Sequence, residues 1–239
     1  MDTFERLFGV EKSRVGRACV LLPLAGREVV RGFGAPAFSR GMLYGTAEGR
    51  GFTLIRTGVG AALAGDAVLH LAETPCDEIV LFGSCGLAGS DRGLRIGSLV
   101  SPSVCHSAES FTRLLEDDIR FSDALHPDAE LRASVLSLSG SREISDAPCL
   151  SIGSLKLQEG LLPALRAHGI GLVDMECAAV FAAARRTGRR AAALLYAADI
   201  IVEKPFHAPL SADDRDAIDR AVGDASGILC DLFREKPRA

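Results

Sequence analysis

The chain has 239 residues, 48% of them hydrophobic, enough to bury the core of one large α/β domain. Net charge is −4 (27 basic, 31 acidic residues), which calls for neither nucleic acid nor an anionic membrane as partner. Aromatics make up only 5% and Trp is absent, so Ala, Leu, Val and Ile must fill the interior.

In chain order, Ala18–Leu24 reads as a first buried strand and Glu28–Phe33 as a short helix. Met42–Glu48 and Phe52–Thr57 form a hairpin pattern around Gly49-Arg50-Gly51. Gly58-Val59-Gly60 opens an Ala/Leu-rich helix to about Glu73. Glu78–Phe82 is a short apolar strand, expected to end in a loop at Gly83-Ser84-Cys85-Gly86. Ile96–Cys105 reads as a strand pair or an extended segment, and 107–146 is polar and weakly patterned. A strand at Cys149–Gly153 and a helix at Leu157–His168 come after it. Next are a strand at Gly171–Met175, a helix at Cys177–Arg186 and a buried strand at Arg190–Ala198, expected to stop on Asp199. A last helix starts at Ser211, with Asp213 and Asp214 in its first turn, and runs to about Phe233. The alternation implies helices on both faces of a mostly parallel or mixed sheet. No repeat or linker divides residues 1–239, so one domain is expected.

Seven cysteines, an odd number, stand at 19, 76, 85, 105, 149, 177 and 230 without C-x-x-C or metal-ligand spacing. Most lie in apolar runs, a pattern of a reducing compartment. The N-terminus lacks the order of a signal peptide, and no apolar run reaches about 18 residues. A cytoplasmic protein is the expectation. The five histidines have no metal spacing, and Arg185, Arg186, Arg189 and Arg190 read as a solvated helix end with the loop after it.

Three signals concern chemistry. Asp174 and Glu176 flank Met175 at a core-facing junction, and buried carboxylates are costly without partners, so the pair suggests a site that holds hydroxyl groups. Glu176 also fits a first-turn helix acid. Asp199 closes an apolar strand, where ligand crevices of open α/β sheets lie, and a carboxyl there can act as an acid; a cap for the next segment is its plainer role. The glycine segments at 58–60 and 83–86 allow a ligand close to the backbone. The first lacks the third glycine of a dinucleotide fingerprint, with Leu63 in that place. The second lacks the first glycine of a nucleophile elbow, and no histidine is identified as a partner for Cys85.

In this order, the first strand with Glu28, Thr57-Gly-Val-Gly60, Gly83-Ser-Cys-Gly86, Val173-Asp-Met-Glu176 and Ala198-Asp199 resemble the nucleoside phosphorylase/nucleosidase superfamily, in its uridine-phosphorylase-like and nucleosidase branch. The resemblance spans most of the chain and is weak over 107–146. It implies a single-domain three-layer αβα fold with a central mixed, mostly parallel sheet. It also implies roles. Glu176 accepts hydrogen bonds from ribose hydroxyls and Met175 packs on the sugar. Asp199 protonates the purine base near N7. Ser84 and Gly86 lie beside the sugar and the attacking group, and Val59 lines the sugar region. Leu155 falls where an aromatic stacks on the base, a contact Phe206 could supply.

On pattern alone Glu28 is an ordinary surface Glu, but the first loop, Leu22-Pro-Leu-Ala-Gly-Arg-Glu-Val29, is similar to that of 5′-methylthioadenosine/S-adenosylhomocysteine nucleosidases, and an ungapped pairing from Val20 to Val29 puts Glu28 on their general base for water. Phosphorylases of the branch carry a Gly-Asp-Pro-x-Arg type loop there and an Arg before the second glycine segment. Leu81-Phe82 holds the latter place here, although Arg27 or Arg56 could substitute. Pro23 and Leu24 replace Gly-Ala of the family loop, and Ala198 replaces the Ser that precedes the acid. The expectation is therefore a hydrolase acting on a methylthioadenosine-, futalosine- or adenosylhopane-like nucleoside. The alternatives are a purine or uridine phosphorylase, which uses phosphate in place of water, and an inactive nucleoside-binding protein. Neither metal nor organic cofactor is implied, and a homodimer or larger homo-oligomer is.

Overall fold

The fold is built around one long strand. In the computed structural model, which describes residues 2–34, 37–90 and 93–234, β5 (Glu78–Leu87) runs through the centre of the sheet. Along one edge it pairs in parallel with β1 (Ala18–Leu22) over its first half and antiparallel with β10 (Leu172–Asp174) at its end. Along the other edge it pairs in parallel with β11 (Arg190–Ile200) over its whole length. Beyond β1 come β4 (Thr53–Arg56), β3 (Gly45–Glu48) and β2 (Ser39–Arg40), the last two antiparallel. Beyond β10 come β9 (Cys149–Ile152) and β7 (Cys105–Ala108), both parallel. The short strands β6 (Leu99–Val100) and β8 (Ile144–Ser145) extend the β11 edge.

Both faces of the central strands are apolar, and helices cover them as continuous apolar runs require. On one face α3 (Ala61–Leu71) packs against α7 (Cys177–Thr187), burying Ala64, Val68, Val180 and Phe181 with Leu21, Ile79 and Ala193. On the other, α2 (Arg27–Gly32), α5 (Ala129–Ser137) and α8 (Ala212–Arg234) bury Val29, Val135, Val222 and Ile228 with Val20, Val80 and Leu194. The elements α1 (Thr3–Phe8), α4 (Phe111–Leu115) and α6 (Leu162–Ala167) complete the chain. The three-layer arrangement expected from the sequence is present.

Several boundaries differ. Gly83–Gly86 is not a loop: β5 continues through it to Leu87, because β11 pairs with this segment as far as Leu87. β11 likewise does not stop on Asp199 but passes through a bulge between Ala197 and Asp199 to Ile200. The bulge adds one residue and re-aims the side chain after it. Arg189 and Arg190 are not merely solvated: Arg189 pairs with Asp77, and Arg190 pairs with Glu78, which is buried at the start of β5.

The start of α7 is held by Asp174, the last residue of β10. Its Oδ2 accepts the amides of Glu176 (3.0 Å) and Cys177 (2.6 Å). Its Oδ1 accepts Ser151 Oγ at 2.5 Å, and that hydroxyl accepts the Ala178 amide at 2.9 Å. These bonds satisfy helix N-terminal donors that would otherwise be buried without partners. Asp174 therefore serves the helix, whereas the sequence by itself suggests a hydroxyl-binding acid. Replacing Ser151 by Ala removes both of its bonds at a fully buried position. The expected cost is about 1–3 kcal/mol, seen as a lower urea midpoint with an unchanged slope.

Candidate active site

The register of the sheet sets Asp199 and the strand that leads to Glu176 on either side of one glycine. Gly86 pairs with Val173 of β10 on one side and with Asp199 of β11 on the other. Asp199 and the turn holding Glu176 thus flank the end of β5. Gly86 leaves room there: a Cβ on it would stand 3.1 Å from Asp199 Oδ2 and 3.3 Å from Oδ1, so the carboxyl would have to give way. Cys85 between them is buried, and its thiol is pushed far up, first by burial and then by the charges of Asp174 and Asp199. A thiolate nucleophile at Cys85 is thereby disfavoured.

Glu176 is 5% exposed. Its Oε1 accepts the amide of Gly60 at 2.6 Å. Gly60 has φ +112°, a conformation open to glycine, and it caps α3. Burial and then the charge of Asp174 push the Glu176 pKa up to about 8, against the opposing pull of the Gly60 and Met175 amides. Asp199 is 8% exposed, and burial raises its pKa to about 6. Its Oδ2 is buried without a hydrogen-bond donor among the described residues. A buried carboxyl with an unmatched oxygen is a proton carrier and a ready acceptor for a ligand.

Two residues not singled out from the sequence join the group. Glu109 comes directly after β7; burial, and next the charge of Asp174, raise its pKa while Ser107 pulls it down, and its Oε1 is buried without a donor among the described residues. Glu109 also adds to the upward push on Glu176. It lines a cavity of about 450 Å³ together with Ser107, Ser110, Arg113, Arg120 and Phe121. Tyr196 of β11 pairs with Ser84 in register and also meets its hydroxyl through the side chain. A Tyr inside an Ala/Leu strand was the available signal for Tyr196. The weak pattern of 107–146 hid Glu109.

The remaining expected residues lie on the outside. Val59 sits exposed between Gly58 and Gly60, and Met175 is half-buried beside Glu176. Leu155 and Phe206 are partly exposed in the segments after β9 and β11, with Phe206 edge-on to His207. Glu28 is exposed in the first turn of α2 and makes no hydrogen bond or ion pair among the described residues. Pro23, earlier in the same loop, packs on β5 at Gly83, 3.5 Å from where a Cβ would be. Leu81 and Phe82 are core residues. Arg56 lies over the Phe38 ring.

The raised acids bind protons in the fold that they release when unfolded, so their contribution to stability is full below about pH 4 and is lost as pH rises through 6 and then 8. Glu176→Gln keeps an acceptor for Gly60 and removes the charge. It is expected to raise Tm above wild type at pH 8.5, by roughly 2–4 °C per kcal/mol relieved. The gain should vanish near pH 4.5 in scanning calorimetry at the two pH values.

Residues 14–234 match the family model described as phosphorylase superfamily. No curated protein sequence matches the chain significantly. Among solved structures it is similar to uridine phosphorylase from Vibrio fischeri ES114 (17% identity, 95% of each chain, TM-score 0.76). It is also similar to Campylobacter jejuni 5′-methylthioadenosine/S-adenosyl homocysteine nucleosidase (11% identity, 92% of this chain and 100% of that one, TM-score 0.73). A third is futalosine hydrolase of Helicobacter pylori strain 26695 (15% identity, 93% and 99%, TM-score 0.69). By sequence match and by fold, the chain belongs to the phosphorylase superfamily, among nucleosidases and nucleoside phosphorylases.

Proposed function

We propose that the protein is a nucleosidase that hydrolyses the N-glycosidic bond of a purine-type nucleoside, with methylthioadenosine-, futalosine- or adenosylhopane-like compounds as candidates. The observation that carries this reading is Asp199, a buried carboxyl with a pKa of about 6 and an unmatched oxygen, set opposite Val173 across Gly86, three residues before Glu176. Asp199 gives its proton to the departing base as the bond from C1′ to nitrogen lengthens. Glu176 holds the ribose hydroxyls, and Met175, Val59, Ser84 and Gly86 line the sugar. Glu28 takes a proton from the water whose oxygen bonds to C1′. Leu155 and Phe206 face the base, and the cavity beside Glu109 takes the group beyond the ribose.

Hydrolysis is preferred because Leu81 and Phe82, in the core, hold the place of the Arg expected of a phosphorylase. A phosphate dianion requires several cationic or amide donors. Phosphorolysis remains the second reading because of the likeness to uridine phosphorylase. A nucleoside-binding protein without turnover is the third, motivated by Ala198. The reading also takes residues 1–239 as one catalytic domain that needs no cofactor. It places the enzyme in the cytoplasm, which the seven free cysteines support, and in a homodimer or larger assembly.

Free base should be released from a panel of purine nucleosides equally with and without inorganic phosphate; strict phosphate dependence would overturn hydrolysis. Binding seen by thermal shift without any base release would favour the third reading. Asp199→Asn and Glu28→Gln should each lower turnover by about 10²–10⁴-fold, measured as initial rates at saturating nucleoside. The acid must be protonated, so kcat/KM should fall as pH rises through about 6. A flat profile from pH 5 to 8 would remove Asp199 from that role.

A further inference from the structure

Three cysteines far apart in sequence meet in the core. Cys105 begins β7, Cys149 begins β9 as its register partner, and Cys177 is the first residue of α7. Their Sγ atoms all lie within 4.8 Å of one another, and each side chain is fully buried. A single core cysteine acts as a small hydrophobe and needs no second sulfur. Three thiols from three elements converging on one point form the donor set of a thiolate metal centre.

The dimensions fit. Zinc–sulfur bonds of about 2.3 Å place tetrahedral ligand sulfurs roughly 3.8 Å apart, so the three need close by no more than about 1 Å. Asp174 Oδ1, which already accepts Ser151 Oγ at 2.5 Å, lies 3.5 Å from Cys149 Sγ. Three thiolates and a divalent ion carry a net charge of −1, or −2 with the Asp174 carboxylate beside them. That charge would sit at the N-terminus of α7, an 11-residue helix whose dipole favours an anion.

We propose that Cys105, Cys149 and Cys177, with Asp174 beside them, bind one soft d10 divalent cation of the zinc and cadmium class. Each thiol gives its proton to solvent as its sulfur bonds the metal; no electron moves, and affinity rises with pH. Asp174 also holds the amides of Glu176 and Cys177, so an ion here bears directly on the start of α7. The site stands whether or not the nucleosidase reading does.

The test is a titration of the reduced full-length protein with cadmium chloride. One equivalent should produce an ultraviolet sulfur-to-cadmium charge-transfer band and raise Tm. X-ray absorption of the cadmium-loaded wild type should count three sulfurs. Cys105→Ala and Cys177→Ala should each weaken cadmium at least tenfold, while Cys230→Ser, at the half-buried cysteine of α8, should leave it unchanged. Absence of the band, fewer than three sulfurs, or undiminished affinity in Cys177→Ala would overturn the proposal. The sulfur count on wild-type protein decides the matter even where an alanine variant does not fold.

Discussion

The hydrogen bond from the Gly60 amide to Glu176 Oε1 joins two helix starts that are 116 residues apart in sequence. The rest of the site depends on it. It fixes the turn before α3 against the turn before α7, on the face where those helices pack together. It gives a buried acid one strong partner, and burial still drives that acid's pKa to about 8. Asp174 makes the arrangement possible by taking over the helix amides, so that Glu176, at the capping position, is left to face the site.

The second constraint is the length of β5. Because one strand carries β1, β10 and β11, the residues at its end are held by backbone ladders on both sides. Asp199 owes its place to a bulge in the last of these, and the bulge sets its carboxyl against a glycine where a larger residue would crowd it. Acids at 109, 176 and 199 all have raised pKa values, and two of them keep an unmatched oxygen. Such a group lowers stability at neutral pH. A cluster of this kind marks a place where the fold gives up stability to keep a site ready for a ligand.

Relatives with 11–17% identity keep this fold over more than nine-tenths of the chain. A fold can be kept at so low an identity because backbone pairing and apolar pattern, rather than particular side chains, specify it.

The alternation of apolar runs and helices determined the three-layer fold, because period and burial are local properties of a chain. The order of the glycine segments, Met175-Glu176 and Asp199 likewise pointed to the acids that flank the end of β5. Tertiary structure alone decided that Gly83–Gly86 is strand, since pairing with β11 holds it extended where its glycines suggest a loop. It alone turned Asp174 into a cap, brought in Glu109 from a segment without periodicity, and gathered cysteines 105, 149 and 177 into one cluster. Each of those depends on contacts between residues far apart in sequence, and a carboxyl or thiol side chain carries no local sign of which distant group it will meet.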